Sequence, residues 1–430
     1  MLLVYTHKIT PRVSYIFKHI FEQMLGYDVG LTSAVEEFVA HSGPKFSYTT
    51  KPLGGELFIS SHSLLFEQGV VSQDIVVTYW ESLPIFFKTH SEGICPFDLF
   101  AASFYLLSRY EESLPHIKTV EGHFDASESL AKQHQFLELP VVDLWVIKLH
   151  EILASHFEEL ENILKVAPQK EILIEVPLAF KYKFRSPLVA LGSFLHSLWK
   201  LDVKSLLIQI LVLLRLKKDP YDSFESWNLW FTPSTVKPKI FFLLAKSSSY
   251  QSTISIFNLS YRKIIKQVGD LFPLGVLASI KSQLIPDENF SREKKDFQNL
   301  THRVISEVRW SNGIRNVNKD YNTLADFEFN SDYSMGYFDQ IGFRAGTATP
   351  FYFYDVSNEF QLPLKVHPVF ATEAGLKNQK SNQVFSMLEK VYQKLPLSSS
   401  KCIVVLTNEF LHPNTKYNTL QEGLQDYICD

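Results

Sequence analysis

The sequence predicts an α/β protein whose C-terminal part is a barrel-like or doubly wound parallel sheet covered by helices. Near-continuous apolar runs of strand length alternate there with helical stretches, a pattern typical of parallel strands buried on both faces. The chain has 430 residues, enough for two or three domains, and its 46% apolar content can fill large cores. The change of pattern along the chain predicts an N-terminal α/β domain, 1–165, and a C-terminal domain, 166–430.

The N-terminal domain is predicted to alternate short strands with amphipathic helices. A strand is expected at 2–5, followed by a helix at 12–25 whose apolar residues recur every three or four positions. A second helix is expected over 97–112, with Asp98 near its start, where the helix dipole favours an acid. A third helix is expected to begin near Asp143.

Strand-like apolar runs separated by helical stretches characterise the C-terminal domain. Five such strands are predicted, at 171–177, 237–244, 274–278, 341–344 and 401–406. A helical insertion is expected over 181–235. Functional groups of such a domain lie at the carboxyl ends of its strands, so the candidate site is sought there.

Charge, cysteine content and the N-terminus restrict the class of protein. The formal net charge is −4 and no dense block of lysine and arginine occurs, so no nucleic-acid partner is expected. The three cysteines, Cys95, Cys402 and Cys429, are far apart and form no Cys-x-x-Cys pair, which argues against a disulfide framework and against a zinc knuckle. Because the N-terminus also lacks a signal-peptide pattern, a cytoplasmic protein is expected.

The most apolar run of the chain lies at 205–216. Its roughly twelve residues are too few for a transmembrane helix, which needs about twenty. Lys204, Lys217 and Lys218 flank it. We interpret the run as a buried or docking helix; the alternative is a helix that contacts a partner or a membrane surface.

The segment 342–351 is the most informative local motif. Gly342 and Gly346 bound a tight turn that carries Arg344, whose guanidinium could orient acidic groups. Two interpretations are equally favoured: Arg344 contacts a ligand from an active-site loop, or it holds the loop in place.

Three strings around this motif, 332–337, 342–347 and 350–355, resemble a branch of the bacterial polysaccharide deacetylase superfamily, carbohydrate esterase family four. They read Asp-Tyr-Ser-Met-Gly-Tyr, Gly-Phe-Arg-Ala-Gly-Thr and Pro-Phe-Tyr-Phe-Tyr-Asp. The uncharacterised domain that precedes the deacetylase domain in that branch is similar to 43–45, 96–112 and 140–145. The resemblance covers nearly the whole chain and implies a distorted (β/α) barrel of the polysaccharide deacetylase type for residues 166–430.

Metal-assisted hydrolysis of N- or O-acetyl groups on a sugar polymer or precursor is the activity that the resemblance implies. A divalent metal polarises the carbonyl and holds water, an aspartate acts as base and a histidine protonates the leaving group. In this chain the position of the base falls on Leu173, the positions of two histidine ligands on Leu277 and Ser311, and that of the general acid on Thr407. Of the expected metal ligands, only Glu175 could still bind a cation.

We therefore interpret the chain as a polysaccharide deacetylase-like pseudoenzyme, which keeps a carbohydrate-binding groove for recognition or scaffolding. The alternative is an active carbohydrate deacetylase with a rearranged site, and a third option is unrelated chemistry at the same strand ends. Carbohydrate or polysaccharide is the expected ligand. No cofactor is expected, and a zinc-like divalent metal only under the alternative.

The candidate catalytic residues are Glu175 and Arg344, although a glutamate at a strand end is more often ion-paired. The candidate ligand-binding residues are Arg344, Tyr333, Tyr337, Phe351, Tyr354 and Asn408. No metal site is predicted; the residues that could form one are Glu175, Glu409 and His412, which the insertion at 181–235 could complete.

Overall fold

The structure is a computed structural model that describes residues 1–89, 93–160, 167–185, 191–192, 195, 198–232, 234, 236–248, 251–379, 384–412 and 418–429. Its strands are β1 (Leu2–Thr6), β2 (Val29–Thr32), β3 (Lys45–Thr49), β4 (Phe58–Ser60), β5 (Thr78–Trp80), β6 (Leu83–Ile85), β7 (Gln169–Val176), β8 (Lys239–Phe242), β9 (Leu274–Ala278), β10 (Glu307–Trp310), β11 (Ser331–Asp332), β12 (Phe351–Asp355), β13 (Phe360–Val366), β14 (Ala371–Thr372) and β15 (Lys401–Thr407). Its α-helices are α1 (Pro11–Lys18), α2 (Val35–Ala40), α3 (Leu99–Leu107), α4 (Leu130–Gln133), α5 (Val141–His156), α6 (Val203–Leu213), α7 (Phe224–Phe231), α8 (Leu259–Leu271), α9 (Ile280–Leu284), α10 (Asp287–Thr301), α11 (Val317–Asp326), α12 (Glu373–Lys377), α13 (Val384–Gln393) and α14 (Asn418–Cys429).

A four-stranded parallel sheet with the order β2-β1-β3-β4 lies at the centre of the N-terminal part. Helix α1 begins where the Thr10 hydroxyl accepts a hydrogen bond from the Val13 amide at 3.1 Å, and a π-helix, His19–Met24, continues it. Asp98 caps α3 by accepting a hydrogen bond from the Ala101 amide at 2.9 Å. The strand and the three helices predicted for this part are confirmed, except that α3 ends before Arg109, whose φ of +50° lies in the left-handed region.

The C-terminal part is organised around a nine-stranded sheet with the order β12-β13-β11-β10-β9-β8-β7-β15-β14. Neighbouring strands are parallel, except for the antiparallel pair of β12 and β13. The predicted α/β class and parallel sheet are confirmed, and four of the five predicted strands are β7, β8, β9 and β15. The strand predicted at 341–344 is wrong, because the backbone turns at Gly342, whose φ is +135°.

Residues 367–370, which follow β13, form backbone hydrogen bonds on two sides. The amides of His367 and Val369 donate hydrogen bonds to the carbonyls of Asp332 and Met335, at 2.8 and 2.7 Å. On the other side, the Phe370 amide donates to the Ile403 carbonyl at 3.0 Å. The segment 367–370 is therefore hydrogen-bonded both to the region of β11 and to β15. A closed barrel and the domain boundary near residue 165 stay predictions.

Helices α6 and α7 lie within the predicted insertion at 181–235, several residues of which are outside the described ranges. Asp219 is fully buried and accepts hydrogen bonds from the amides of Lys181, Tyr182 and Tyr221, at 2.7, 2.8 and 3.0 Å. This carboxylate ties the start of the insertion to its second half. Among the described helices, none combines the length and the apolar character needed to cross a membrane.

A buried ion cluster joins the N-terminal part to the loop that carries Arg344. The two Glu112 carboxylate oxygens accept hydrogen bonds from the Arg344 guanidinium at 2.9 and 2.6 Å, and one of them accepts another from Arg109 at 2.7 Å. Arg109 also donates to the Arg344 carbonyl and pairs with Glu111. The side chains of Arg109, Glu112 and Arg344 are 1%, 4% and 3% exposed, so water does not screen these charges.

Asp143, on α5, fixes the end of the same loop. Its buried carboxylate accepts hydrogen bonds from the hydroxyls of Thr347, Thr349 and Ser400 at 2.6, 2.7 and 2.8 Å, and from the Ala348 amide at 3.1 Å. A Cβ atom placed on Gly346, whose φ is +65°, would lie 2.7 Å from the Leu106 side chain. The loop is thus fitted tightly against the N-terminal part.

Replacing Arg344 with alanine should lower the free energy of unfolding by about 3–5 kcal/mol, because it leaves the buried Glu112 carboxylate without its bidentate partner. Arg303→Ala is the control. Arg303 is 52% exposed, faces Asp270 at 3.8 Å and donates one hydrogen bond to the Gly269 carbonyl at 2.6 Å, so its loss should cost no more than about 1 kcal/mol. Urea denaturation of both variants measures the difference, and equal effects would contradict the buried ion cluster.

The contribution of Glu112 to stability should depend on pH. Burial alone raises the pKa of Glu112, but the charges of Arg344 and Arg109 outweigh it and lower that pKa from 4.5 to about 2. A carboxyl with a lowered pKa stabilises the folded state fully above its unfolded value and loses this contribution as the pH falls towards its folded value. The difference in unfolding free energy between the natural chain and Glu112→Gln should therefore be constant above pH 4.5 and shrink towards pH 2. A difference that stays unchanged down to about pH 3 would contradict the lowered pKa of Glu112.

Candidate functional site

A pocket of about 290 Å³ lies at the carboxyl ends of the strands in the C-terminal sheet. We call it the strand-end pocket. Its polar side chains come from β7, β10, β14, β15, α12 and the loops after β10, β11 and β15, namely Glu175, Arg309, Ser311, Ser334, Thr372, Glu373, Lys377, Thr407 and Glu409. Apolar and aromatic residues, among them Tyr337, Phe338, Val405 and Leu406, form much of the remaining wall together with Gly336. The structure thus brings together the strand ends that carry Glu175, Ser311 and Thr407, as the sequence predicts.

Glu175, at the end of β7, is ion-paired. One of its carboxylate oxygens accepts a hydrogen bond from Nε of Arg309, which lies near the carboxyl end of β10. The same guanidinium donates to the Tyr333 carbonyl, and the Arg309 side chain is 7% exposed. Glu175 therefore already has a cationic partner where it lines the pocket.

Glu373 is a second carboxylate of the pocket, and the sequence analysis missed it. Its Oε2 atom accepts hydrogen bonds from the amide and hydroxyl of Thr407, at 2.9 and 2.6 Å. Its Oε1 atom pairs with Lys377, one turn later on α12. The hydroxyl of Thr407, where the resemblance implies the general acid, thus donates to a carboxylate.

Glu409 is a third carboxylate that lines the pocket, in addition to Glu175 and Glu373. It accepts a hydrogen bond at 3.0 Å from the hydroxyl of Tyr221, which belongs to the insertion. Asn408, predicted to bind ligand, is 1% exposed and donates from its side chain to the Leu178 carbonyl at 3.0 Å. His412 follows Glu409 on the same turn, where its amide donates to the Glu409 carbonyl at 3.2 Å, but it does not line the pocket.

An apolar cluster covers one face of the sheet and reaches the pocket through Val405, which belongs to both. It consists of Leu173, Phe241, Leu243, Ala245, Leu277, Tyr333, Val369, Ile403 and Val405. Leu173 and Leu277 are fully buried in it, while their neighbours Ile174 and Val276 belong to the larger core on the opposite face of the sheet. The two positions at which the family resemblance implies the base and a histidine ligand therefore hold packed leucine side chains.

These residues do not fit the metal site that the family resemblance implies. Glu175 is paired with Arg309, and neither leucine nor threonine supplies the imidazole ligands that a zinc-like ion prefers. Throughout the described ranges, no three or more His, Cys, Asp or Glu side chains are grouped so that they could hold a metal ion.

The structure places most of the predicted ligand-binding aromatics away from the pocket. Tyr333 lies in the apolar cluster, where its ring stacks on His367 at 4.3 Å and lies 4.2 Å from the Lys239 ammonium. Phe351 and Tyr354 are buried in the main core, and the Tyr354 hydroxyl donates to Glu359 at 3.0 Å. Of the aromatic residues predicted to bind ligand, Tyr337 is the one that lines the pocket.

Arg344 also lies outside the pocket lining, in the buried ion cluster. Its guanidinium nevertheless reaches the pocket wall from behind. It donates to the Gly336 carbonyl at 3.2 Å and lies 5.5 Å from the centre of the Tyr337 ring. Of the two interpretations made from the sequence, these contacts support the one in which Arg344 holds the loop.

A second pocket, of about 490 Å³, adjoins the first, and we call it the side pocket. Tyr337 and Phe338 line both pockets, and the Phe338 side chain is 63% exposed between them. The N-terminal part contributes the opposite wall of the side pocket, including His123, Asp125 and Lys132. Residues from both parts of the chain therefore line two adjoining pockets that share Tyr337 and Phe338.

Comparison with known proteins yields a family match over the N-terminal part and several similar solved structures, two of which are described here. A family of unknown function (DUF7033) matches residues 2–158. No curated protein matches the chain at a significant level. A putative polysaccharide deacetylase from Mycobacterium smegmatis is 9% identical, with a TM-score of 0.39, over 62% of this chain and 86% of that chain. Puue allantoinase is 10% identical, with a TM-score of 0.36, over 62% of this chain and 84% of that chain. TM-scores below 0.5 do not establish a shared fold, so the strand order described above stands on its own.

Replacing Leu277 with alanine should lower the free energy of unfolding by about 2–5 kcal/mol, because it leaves a cavity in the apolar cluster. Leu284→Ala is the control, because Leu284 is 37% exposed and its truncation should cost less than about 1 kcal/mol. Thermal and urea denaturation measure both effects. An unchanged stability of Leu277→Ala would mean that this position faces water, as a ligand position would.

Proposed function

We propose that the chain is a carbohydrate-binding protein with a deacetylase-like sheet, in which metal-dependent deacetylation has been lost. One observation carries the proposal: the strand ends with Glu175, Ser311 and Thr407 converge on a pocket that polar side chains line in part. The family resemblance supports the loss of catalysis, because it implies the base and a histidine ligand at positions 173 and 277, where Leu173 and Leu277 lie in the apolar cluster. The motifs at 332–337, 342–347 and 350–355 support the link to carbohydrate chemistry through their resemblance to carbohydrate esterase family four.

The chemistry of the pocket wall suits a hydroxyl-rich ligand. Carboxylates such as Glu175 and Glu409 accept hydrogen bonds from sugar hydroxyls, and Lys377 can donate to hydroxyl or acetamido oxygens. The exposed ring of Phe338 offers an apolar platform for the flat face of a sugar. A volume of about 290 Å³ is at the lower end for ligand pockets, which favours one sugar unit in the strand-end pocket.

The side pocket gives room for a longer carbohydrate. Because both pockets share Tyr337 and Phe338, a chain bound in the strand-end pocket can continue across the Phe338 ring. His123 and Lys132 of the N-terminal part would then contact the next unit. This arrangement supports recognition of an oligomer rather than of a free monosaccharide.

Hydrolysis of an acetyl group requires an activated water and a group that takes its proton. In this pocket the Glu175 carboxylate is ion-paired with Arg309, and the Thr407 hydroxyl donates a hydrogen bond to Glu373. Neither group is arranged as the acid/base pair of the family's reaction. The proposal therefore assigns binding, and not turnover, to the site.

Isothermal titration of the full chain with acetylated and deacetylated amino-sugar oligomers tests the binding. Phe338→Ala should weaken binding at least about fivefold, a loss of about 1 kcal/mol, with little change in melting temperature, because the ring is exposed. Phe257→Ala is the matched control, since Phe257 is 81% exposed and lines neither pocket. Equal affinities of the two variants would contradict the assignment of the site.

An acetate-release assay with added zinc, nickel or manganese tests the alternative of an active deacetylase. The proposal predicts no release above background. Acetate release that disappears in Glu175→Gln would instead establish a rearranged enzyme.

A further inference from the structure

A cluster of exposed apolar side chains lies on and around α6, in the insertion. Leu198, Leu201, Val203, Leu207, Leu213 and Leu216 are 46% to 82% exposed. Single exposed leucines are common, but a contiguous group of this size on a protein surface marks an interaction site. We call the surface formed by 198–218 the docking surface.

The sequence of α6 explains why this surface is exposed. Asp202 caps the helix by accepting a hydrogen bond from the Ser205 amide at 3.0 Å. Gln209 and Val212 are the residues that α6 buries. Leu207, Ile210 and Leu213 follow one another at intervals of three along the helix and are 53%, 43% and 53% exposed, so a second apolar stripe faces outwards.

Basic residues surround the apolar stripe. Lys200, Lys204, Arg215, Lys217 and Lys218 are exposed, and Lys218 pairs with Glu225 at 2.8 Å. Asp202 is the one acidic residue within 198–218. The positive charge is local, because the chain as a whole has a formal net charge of −4.

We propose that the docking surface binds an anionic lipid surface. Leucines on a short helix insert at the level of the headgroups, while flanking lysines contact the anionic headgroups. Helix α6 has 11 residues and is about 16 Å long, too short to cross a bilayer, so it would lie in the interface. A second copy of the chain is a poorer partner, because the two basic rims would repel each other.

The docking surface is connected to the strand-end pocket. Tyr221 lies three residues after the docking surface, and its hydroxyl donates a hydrogen bond to Glu409 of the pocket at 3.0 Å. The buried Asp219 fixes this turn through the backbone amides of Lys181 and Tyr182. A chain docked through α6 would therefore hold the pocket close to the lipid surface, although the inference does not depend on the ligand of the pocket.

Co-sedimentation of the full chain with vesicles tests the proposal. We expect binding to vesicles of phosphatidylcholine with about one third phosphatidylglycerol, little binding to pure phosphatidylcholine, and a decrease as salt rises from about 50 to 300 mM. The variant Leu207→Ser/Leu213→Ser and the variant Lys200→Gln/Lys204→Gln/Lys217→Gln should each bind at least about tenfold more weakly.

The matched control is Val120→Ser/Val304→Ser, which removes two valines that are 101% and 88% exposed elsewhere on the chain. This control should bind vesicles as the natural chain does. Light scattering after gel filtration should show the same mass for all variants. Absent binding to anionic vesicles, or a dimer that the leucine variant abolishes, would overturn the proposal, the latter by assigning the surface to a second copy of the chain.

Discussion

The buried cluster of Arg109, Glu112 and Arg344 is the interaction on which the arrangement of the whole chain depends. Two guanidinium groups and their carboxylate partners are removed from water there, and each would be costly to bury without the others. Glu112 and Arg344 are 232 positions apart in the sequence, so their pairing fixes how the N-terminal part meets the C-terminal sheet. Asp143 adds a second fixed point by collecting four hydrogen bonds from the segment after Arg344 and from Ser400.

The fold could be predicted from the sequence where burial is uniform along an element. Strands β9 and β15 are buried over most of their length, and β7 over most of its second half, so they appear as apolar runs. Strands β11 and β14 have two residues each, too few to produce any periodicity, and both were missed. The run at 341–344 is apolar for a different reason, because Ile341 and Phe343 pack into the core from a turn.

The candidate site could be predicted from the sequence only in part, because some of its residues follow long strands and others follow elements too short to predict. Glu175, Thr407 and Glu409 follow long strands, and the rule for parallel sheets placed them together correctly. Glu373 and Lys377 come from a short helix after a two-residue strand, and their spacing of four is also that of an ordinary surface ion pair. Aromatic residues near the family motifs were assigned to a groove, but a sequence does not distinguish a ring that lines a groove from one that packs in a core.

Arg344 lies outside the lining of the strand-end pocket, but its contacts hold part of that lining in place. Arg344 supports Gly336 and Tyr337 from behind, and both residues line the strand-end pocket. The ion cluster therefore holds one wall of the pocket in place as well as joining the two parts of the chain. The side-chain hydrogen bonds of Arg344 run to Glu112 and Gly336, and not to Leu173, Leu277 or Thr407, where the family resemblance implies catalytic groups. The side chains at those three positions can therefore differ without loss of the support that Arg344 gives to the pocket wall.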